Sequence, residues 1–379
     1  MIIISWFVIP YFAFGLTFRV LFFLSVFYLL INNFNLINKR ILSLGLFFIL
    51  YTFGINYLES HSDFILRSLQ LYILITVIII APIVKRYSVK EIKFLIYYFL
   101  ITNFLALILT FRGLLKDNHS ARSFSKSGEN AIEISSSGVG GYGTVYMSIL
   151  IIPILILIIK TTYSKKIKIL SLLNLLFIIL VIGKADFLIA ILLTFFQVFY
   201  LIYHYASKKI YYLTVVTILG FITYLINYTE KFLLYFNDLL YGTSLLLKFV
   251  DITSLTKGIS AEDSTINLRS ERYLRSFTMM FENPFLGVFS YDDIGKHSQI
   301  LDMIAQYGFL IGFLLLIILF DIPKKALKSI RSEHKNLIKS FIVTFFLVGL
   351  LNNYPMHIGA AIILLLLVIF YNDKKIQFK

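Results

Sequence analysis

The sequence predicts an all-α polytopic membrane protein of about 12 transmembrane helices with a large, partly helical outer loop. Three observations carry that expectation. Of 379 residues, 59% are hydrophobic and only 15% are charged, whereas soluble domains hold about 25% charged residues. Mean hydropathy is +0.86. Apolar runs close to the length that crosses a bilayer recur from one end to the other. No polar block is long enough to fold by itself, so residues 1–379 read as a single transmembrane domain. A soluble enzyme is excluded.

Residues 2–31 are almost wholly apolar, with Pro10, Gly15 and Arg19 inside the run. As one helix they would extend about 45 Å, more than a bilayer needs, so two short spans are expected, and the total is eleven if they form one. No Lys or Arg precedes the run and no small-residue cleavage site follows it, so a removable signal peptide is not expected. Further spans are read at 41–58, 64–84, 94–111, 142–159, 169–183, 187–206, 210–228, 299–320, 340–351 and 358–371.

The charges set their orientation. Lys and Arg number 35 and Asp and Glu 20, for a net +15. The connections 38–40, 85–93, 160–168, 207–209 and 321–339, with the tail 372–379, hold 21 Lys/Arg in 51 residues. The opposite set, 59–63, 112–141, 184–186, 229–298 and 352–357, holds 12 in 114 but 15 of the 20 acidic residues. The positive-inside rule then puts the first set and the C-terminus in the cytoplasm. The excess charge is mainly a topology signal, and nucleic acid is not expected as a partner. The chain has no cysteine, which removes disulfides, thiol nucleophiles and cysteine-ligated zinc.

Two outer loops are long, 112–141 and 229–298, and loops beyond about 15 residues are usually functional or disordered. In the second, Lys231–Tyr241 and Leu245–Val250 are rich in aromatic and aliphatic residues, as suits helices lying at the outer interface, or a re-entrant helix with no binding role. The first holds Arg122 and Gly138-Val-Gly-Gly-Tyr-Gly143. Glycines there permit either close approach of backbone to a ligand or a hinge. A phosphate-binding P-loop is excluded because the Gly-Lys-Ser/Thr ending is missing.

The most informative stretch is 264–284. Leu274, Phe277 and Phe281 follow helical spacing, while Arg269, Arg272 and Arg275 recur every third residue and span about 120° of the opposite face. Such a ridge can grip a diphosphate, because the planar guanidinium pairs with phosphate oxygens and keeps its charge. It can equally be a solvated or headgroup-facing surface, partly neutralised by Glu271. Asn283-Pro-Phe-Leu-Gly287 then stops the helix, and Tyr291–Asp302 leads into the next span. His297 stands where water meets membrane, with Ser298 and Asp302 one turn apart. A near-neutral imidazole can accept a proton from a sugar hydroxyl; a capping or backbone-bonding histidine is the alternative. Asp292, Asp293 and His297 could form an oxygen and imidazole metal site. No stronger metal-ligand or cofactor motif is read, so a metal-independent chemistry without cofactor is expected.

The order Arg269-x-x-x-Tyr273, Asn283-Pro-Phe-Leu-Gly287, His297-Ser298 and Tyr307-Gly308 entering an apolar span resembles the signature region of the bacterial O-antigen polymerase and ligase superfamily. Ile294–Asp302 is most similar to the polymerase branch that makes capsules and exopolysaccharides. These motifs cover about 40 residues, and the spans and late outer loop agree over the whole chain. The resemblance implies a membrane glycosyltransferase joining polyprenyl-diphosphate-linked oligosaccharide units at the outer face of the bacterial cytoplasmic membrane. His297 and Arg269 would be its catalytic residues. Arg272, Arg275, Tyr273, Asp302, Lys184 and Arg122 would contact substrate. Membrane lipid surrounds such a protein, and a flippase and a chain-length regulator would work beside it.

One departure concerns Lys184. The family commonly carries arginine at the outer end of a middle span where this chain has Gly183-Lys184, and lysine keeps the charge without the fork. Lys184 otherwise reads as a snorkelling side chain paired with Asp186. Two further functions stay open: a ligase of the same superfamily, and a lipid-linked oligosaccharide flippase. A flippase would carry basic residues within its spans, where only Arg19 and Arg67 fall, and Arg67 follows Asp63 by four. A nucleotide-sugar enzyme would need cytosolic acidic residues, and the inner connections carry just Glu91, Asp321, Glu333 and Asp373.

Overall fold

The computed structural model describes residues 8, 16–59, 63–117, 120–123, 139–162, 164–185, 187–206, 265–288, 293–352 and 358–369. The first of the two spans expected in 2–31, the span at 210–228, the interfacial helices at 231–250, Asp186, Asp292 and the tail 372–379 lie outside them, as do the side chains of Arg19, Arg67 and Arg122. Helices in chain order are α1 (Leu16–Asn32), α2 (Lys39–Glu59), α3 (Asp63–Ile80), α4 (Val89–Lys116), the single turn α5 (Ser120–Ser123), α6 (Tyr142–Thr161), α7 (Lys165–Lys184), α8 (Leu188–Tyr205), α9 (Thr265–Glu282), α10 (Gln299–Ser329), α11 (Lys335–Leu351) and α12 (Ile358–Ile369). The described residues contain no strand.

Seven of these helices, α2, α4, α6, α7, α8, α10 and α11, are long and apolar enough to cross a membrane, and Val20–Asn32 and Leu71–Val84 are shorter apolar helices. A bilayer core offers the backbone no water to bond, so helices that satisfy themselves are the form such runs adopt. At the start of α4, Ser88 and Glu91 close a capping box, which satisfies two N–H groups that the first turn leaves over.

Helix α6 is the centre of the bundle. Val145 to Leu155 are buried without interruption, the signature of a helix enclosed on every side. It packs on α7, α11, α12 and α8. Buried amides tie the neighbours: Asn103 on α4 donates to Asn174 on α7 at 2.8 Å, and Gln197 on α8 donates to Thr344 on α11 at 3.2 Å. Hydrogen bonds of this kind hold helices together where lipid gives no hydrophobic drive.

The two ends of the bundle differ. One end gathers short basic connections: Asn38 bonds Asp321 at 3.0 Å, Arg86 bonds Asn33 at 3.2 Å, Tyr205 bonds the Glu333 carbonyl at 3.1 Å, and Lys160 sits over the Tyr205 ring. The opposite end carries α9 and the start of α10.

Helix α10 is broken at Gly308, whose φ of 72° and ψ of 169° are not helical. The turn after α9 fills the break. Phe309 N–H donates to the Pro284 carbonyl at 2.7 Å, and the Ala305 carbonyl accepts from Val288 N–H at 2.8 Å. An unbroken helix would pair those two groups with each other; here both are satisfied by the loop. Tyr51 of α2 closes the arrangement by donating to the Leu286 carbonyl at 2.6 Å. Gly287 also has a positive φ of 74°, and a Cβ on either glycine would collide with the other segment's backbone.

Candidate functional site

Helix α9 lies across the start of α10. Its buried side is formed by Ser276 and Met280, with Arg269 and Tyr273 half-buried beside them, a spacing of three and four residues along one face. The apolar stripe Leu274, Phe277 and Phe281 is 64%, 48% and 58% exposed. The helix therefore presents this apolar stripe outward, to where lipid would lie, while Arg269, Tyr273 and Ser276 face the protein and Glu271, Arg272 and Arg275 stay exposed. That inversion separates the three arginines. Arg269 is turned inward, Arg272 is 60° further round, and Arg275 is 120° away on the exposed side.

Arg272 Nη1 lies 2.7 Å from His297 Nε2. A guanidinium can only donate, so Nε2 accepts and the ring proton sits on Nδ1. Burial pushes the imidazole down to about 4, and the charges of Arg272 and then Arg269 push the same way. His297 is thus neutral near pH 7 with its lone pair held by Arg272. Tyr273 donates to the Leu351 carbonyl at 3.0 Å, fastening α9 to the end of α11. Burial raises its phenol, with Arg269 opposing and Asp302 reinforcing the shift.

The segment that carries His297 is held by a buried knot. Asp302 is 4% exposed and Ser276 is fully buried. The Ser276 hydroxyl donates to Asp302 Oδ1 and accepts from Gly295 N–H at 2.8 Å. Asp302 Oδ2 accepts from Ser298 N–H at 3.1 Å, and the Lys296 and His297 N–H groups bond the same carboxylate. Ser298 caps α10 through Leu301 N–H at 3.3 Å. A side chain at Gly295 would strike the Arg272 carbonyl, so glycine permits this close approach, and Lys296 takes a φ of 62° in the same turn. The structure places Asp302 as the residue that positions this loop, with its oxygens taken by protein.

Four residues outside the arginine and histidine motifs stand at the same end. Tyr146 of α6 feels the charge of Arg269 and bonds Asn352, and the Asn352 carbonyl accepts from Gln299 N–H at 3.2 Å. Tyr142 stacks on Phe187 with ring centroids 4.3 Å apart. They come from α6, the start of α8 and the end of α11, so only the packing brings them together; a tyrosine four residues from another at the head of a span was the available signal.

Lys184 is half-buried as the last residue of α7, three positions before Phe187. Arg122 lies on the single turn α5. Of the glycine-rich run, Gly140 donates its N–H to Thr110 at 2.9 Å, and Val139 presses on Gly113, so this backbone closes on α4. Asp293 is exposed, and no group of three metal-binding side chains occurs among the described residues. In comparisons with known proteins, no family model and no curated protein matches the chain.

Proposed function

We propose that the chain is a polysaccharide polymerase, joining polyprenyl-diphosphate-linked oligosaccharide units at the outer face of a bacterial cytoplasmic membrane, with the C-terminus in the cytoplasm. The observation that carries this reading is the pairing of Arg272 with a neutral His297, beside the inward Arg269, at the weakly basic end of the bundle. A diphosphate leaving group and a hydroxyl nucleophile require those two functions side by side.

The hydroxyl of one lipid-linked unit attacks the anomeric carbon of the donor glycan. The bond from that carbon to the diphosphate oxygen breaks, and its electron pair leaves with the diphosphate. The hydroxyl proton passes to His297 Nε2. Arg269 and Arg272 neutralise the departing charge through paired N–H donors. Arg272 links the two tasks: drawn to the diphosphate, it leaves the imidazole, and the anion raises the basicity that the arginines had suppressed. The base is thereby released when donor is bound.

The test uses the full chain in liposomes loaded with lipid-linked oligosaccharide. Lengthened lipid-linked glycans are expected. Transfer only to an added non-polyprenyl acceptor would indicate a ligase, and movement of units across the bilayer without new bonds would indicate a flippase.

A further inference from the structure

A second feature lies away from this site, on the outer surface of α2 and α10. A cavity of about 700 Å³ is lined by Arg40 and Leu44 of α2, Phe309, Leu310, Phe313, Leu314 and Ile317 of α10, and Pro284 and Phe285 of the turn. Leu310, Phe313 and Ile317 are exposed, so the groove opens sideways along the bundle. Arg40 marks one end. The other is roofed by Pro284 and Phe285, in the turn that Tyr51 holds. Tyr51 follows Arg40 by 11 residues, about 16 Å of helix, which matches one leaflet of a hydrocarbon core about 30 Å thick.

Arg40 is exposed and has no ion pair among the described residues. The carboxylate that meets the start of α2, Asp321, is already taken by Asn38 at 3.0 Å and Lys325 at 2.6 Å. An unneutralised guanidinium at headgroup level, with one leaflet's depth of apolar groove running from it to the Pro284–Phe285 turn, has the complement of one kind of molecule. We infer that this groove binds an anionic phospholipid, its phosphate on Arg40 and one acyl chain along Leu44, Leu310, Phe313 and Ile317 under the Pro284–Phe285 roof. The guanidinium fork pairs with phosphate oxygens, and exposed Lys39 adds to the local field. Naming the cytoplasmic leaflet as its source rests on the orientation proposed above; the binding itself does not.

The test is native mass spectrometry of the delipidated full chain titrated with phosphatidylglycerol and with phosphatidylcholine of identical acyl chains. The wild type should retain one phosphatidylglycerol about five-fold more strongly, the factor that one basic residue at an anionic membrane surface supplies. Arg40→Gln should remove the preference and Arg40→Lys should restore much of it. Leu310→Trp, which fills the groove from its exposed side, should lower retention of both lipids, while Arg269→Ala should change neither. An undiminished preference in Arg40→Gln, or full retention in Leu310→Trp, would overturn the site. So would tighter binding of a polyprenyl phosphate that depends on Arg269 and not on Arg40, because the groove would then serve the outer substrate. None of these readouts uses glycan synthesis, so loss of the polymerase reading and loss of this site are separate results.

Discussion

Arg272 and His297 meet at 2.7 Å, guanidinium to imidazole, 25 residues apart in sequence and on different elements. A cation normally avoids a histidine that could also become charged, so the pair is stable only while the ring is neutral. Substituting Arg272 by alanine uncovers Nε2 and removes one of the charges that hold the imidazole down. Acylation of His297 by diethyl pyrocarbonate, followed by peptide mass spectrometry across pH, should then be faster. Its midpoint should move up from about 4 toward the ordinary histidine value of about 6.5. An unchanged rate and midpoint would mean that Arg272 does not cover the ring.

Acidification carries a defined sign. His297 is about 6.5 when unfolded and about 4 when folded, so above 6.5 neither state gains a proton there. As pH falls from 6.5 to 4 the unfolded chain binds a proton that the folded one refuses, and stability declines; below 4 the contribution is fully lost. Melting temperature in detergent should therefore drop through this window by more in the wild type than in His297→Gln. Parallel profiles for the two would contradict the depressed imidazole.

The Ser276–Asp302 knot predicts structural loss. Asp302→Asn weakens several charge-assisted bonds at once, and Ser276→Ala leaves a buried carboxylate oxygen and the Gly295 N–H without their partner. Each should cost about 1.5–3 kcal/mol, read as a lower melting temperature. Because the knot holds the loop, faster proteolysis at 293–298 should accompany it. A variant that melts like the wild type with an equally protected loop would remove Asp302 from its positioning role.

The spans and the site differ in how far the sequence exposes them. Long apolar runs such as 94–111 and 142–159 declare themselves because only a helix satisfies its backbone in hydrocarbon, and Asn283–Gly287 announces the stop of α9. Periodicity also finds the stripe Leu274, Phe277 and Phe281, but a moment has no sign in a membrane protein: the apolar face turns to lipid as readily as to protein. Hence equal spacing of Arg269, Arg272 and Arg275 conceals their unequal orientation. Ser276 and Asn352 carry no local pattern at all, and Tyr146 carries only its spacing from Tyr142. Their placement depends on how α6, α9 and α11 pack, which no window of sequence contains.

Gly308 tests the broken helix. Its positive φ and the Phe285 carbonyl against it make Gly308→Ala strained and crowded, at a cost of at least about 1–2 kcal/mol. Gly54 sits in α2, where an added Cβ would meet nothing within 4 Å, so Gly54→Ala should be neutral or stabilising. Equal melting temperatures for the two variants would argue that α10 runs unbroken.

The central claim is that His297 takes the hydroxyl proton beside arginines that receive the diphosphate. The most direct measurement is the length distribution of lipid-linked glycan made in liposomes by His297→Ala and His297→Lys, at wild-type protein levels. Lysine preserves positive charge but does not exchange protons near neutral pH as imidazole does. Both variants are predicted to leave single lipid-linked units and no longer glycan. Wild-type chain lengths from either would contradict the account.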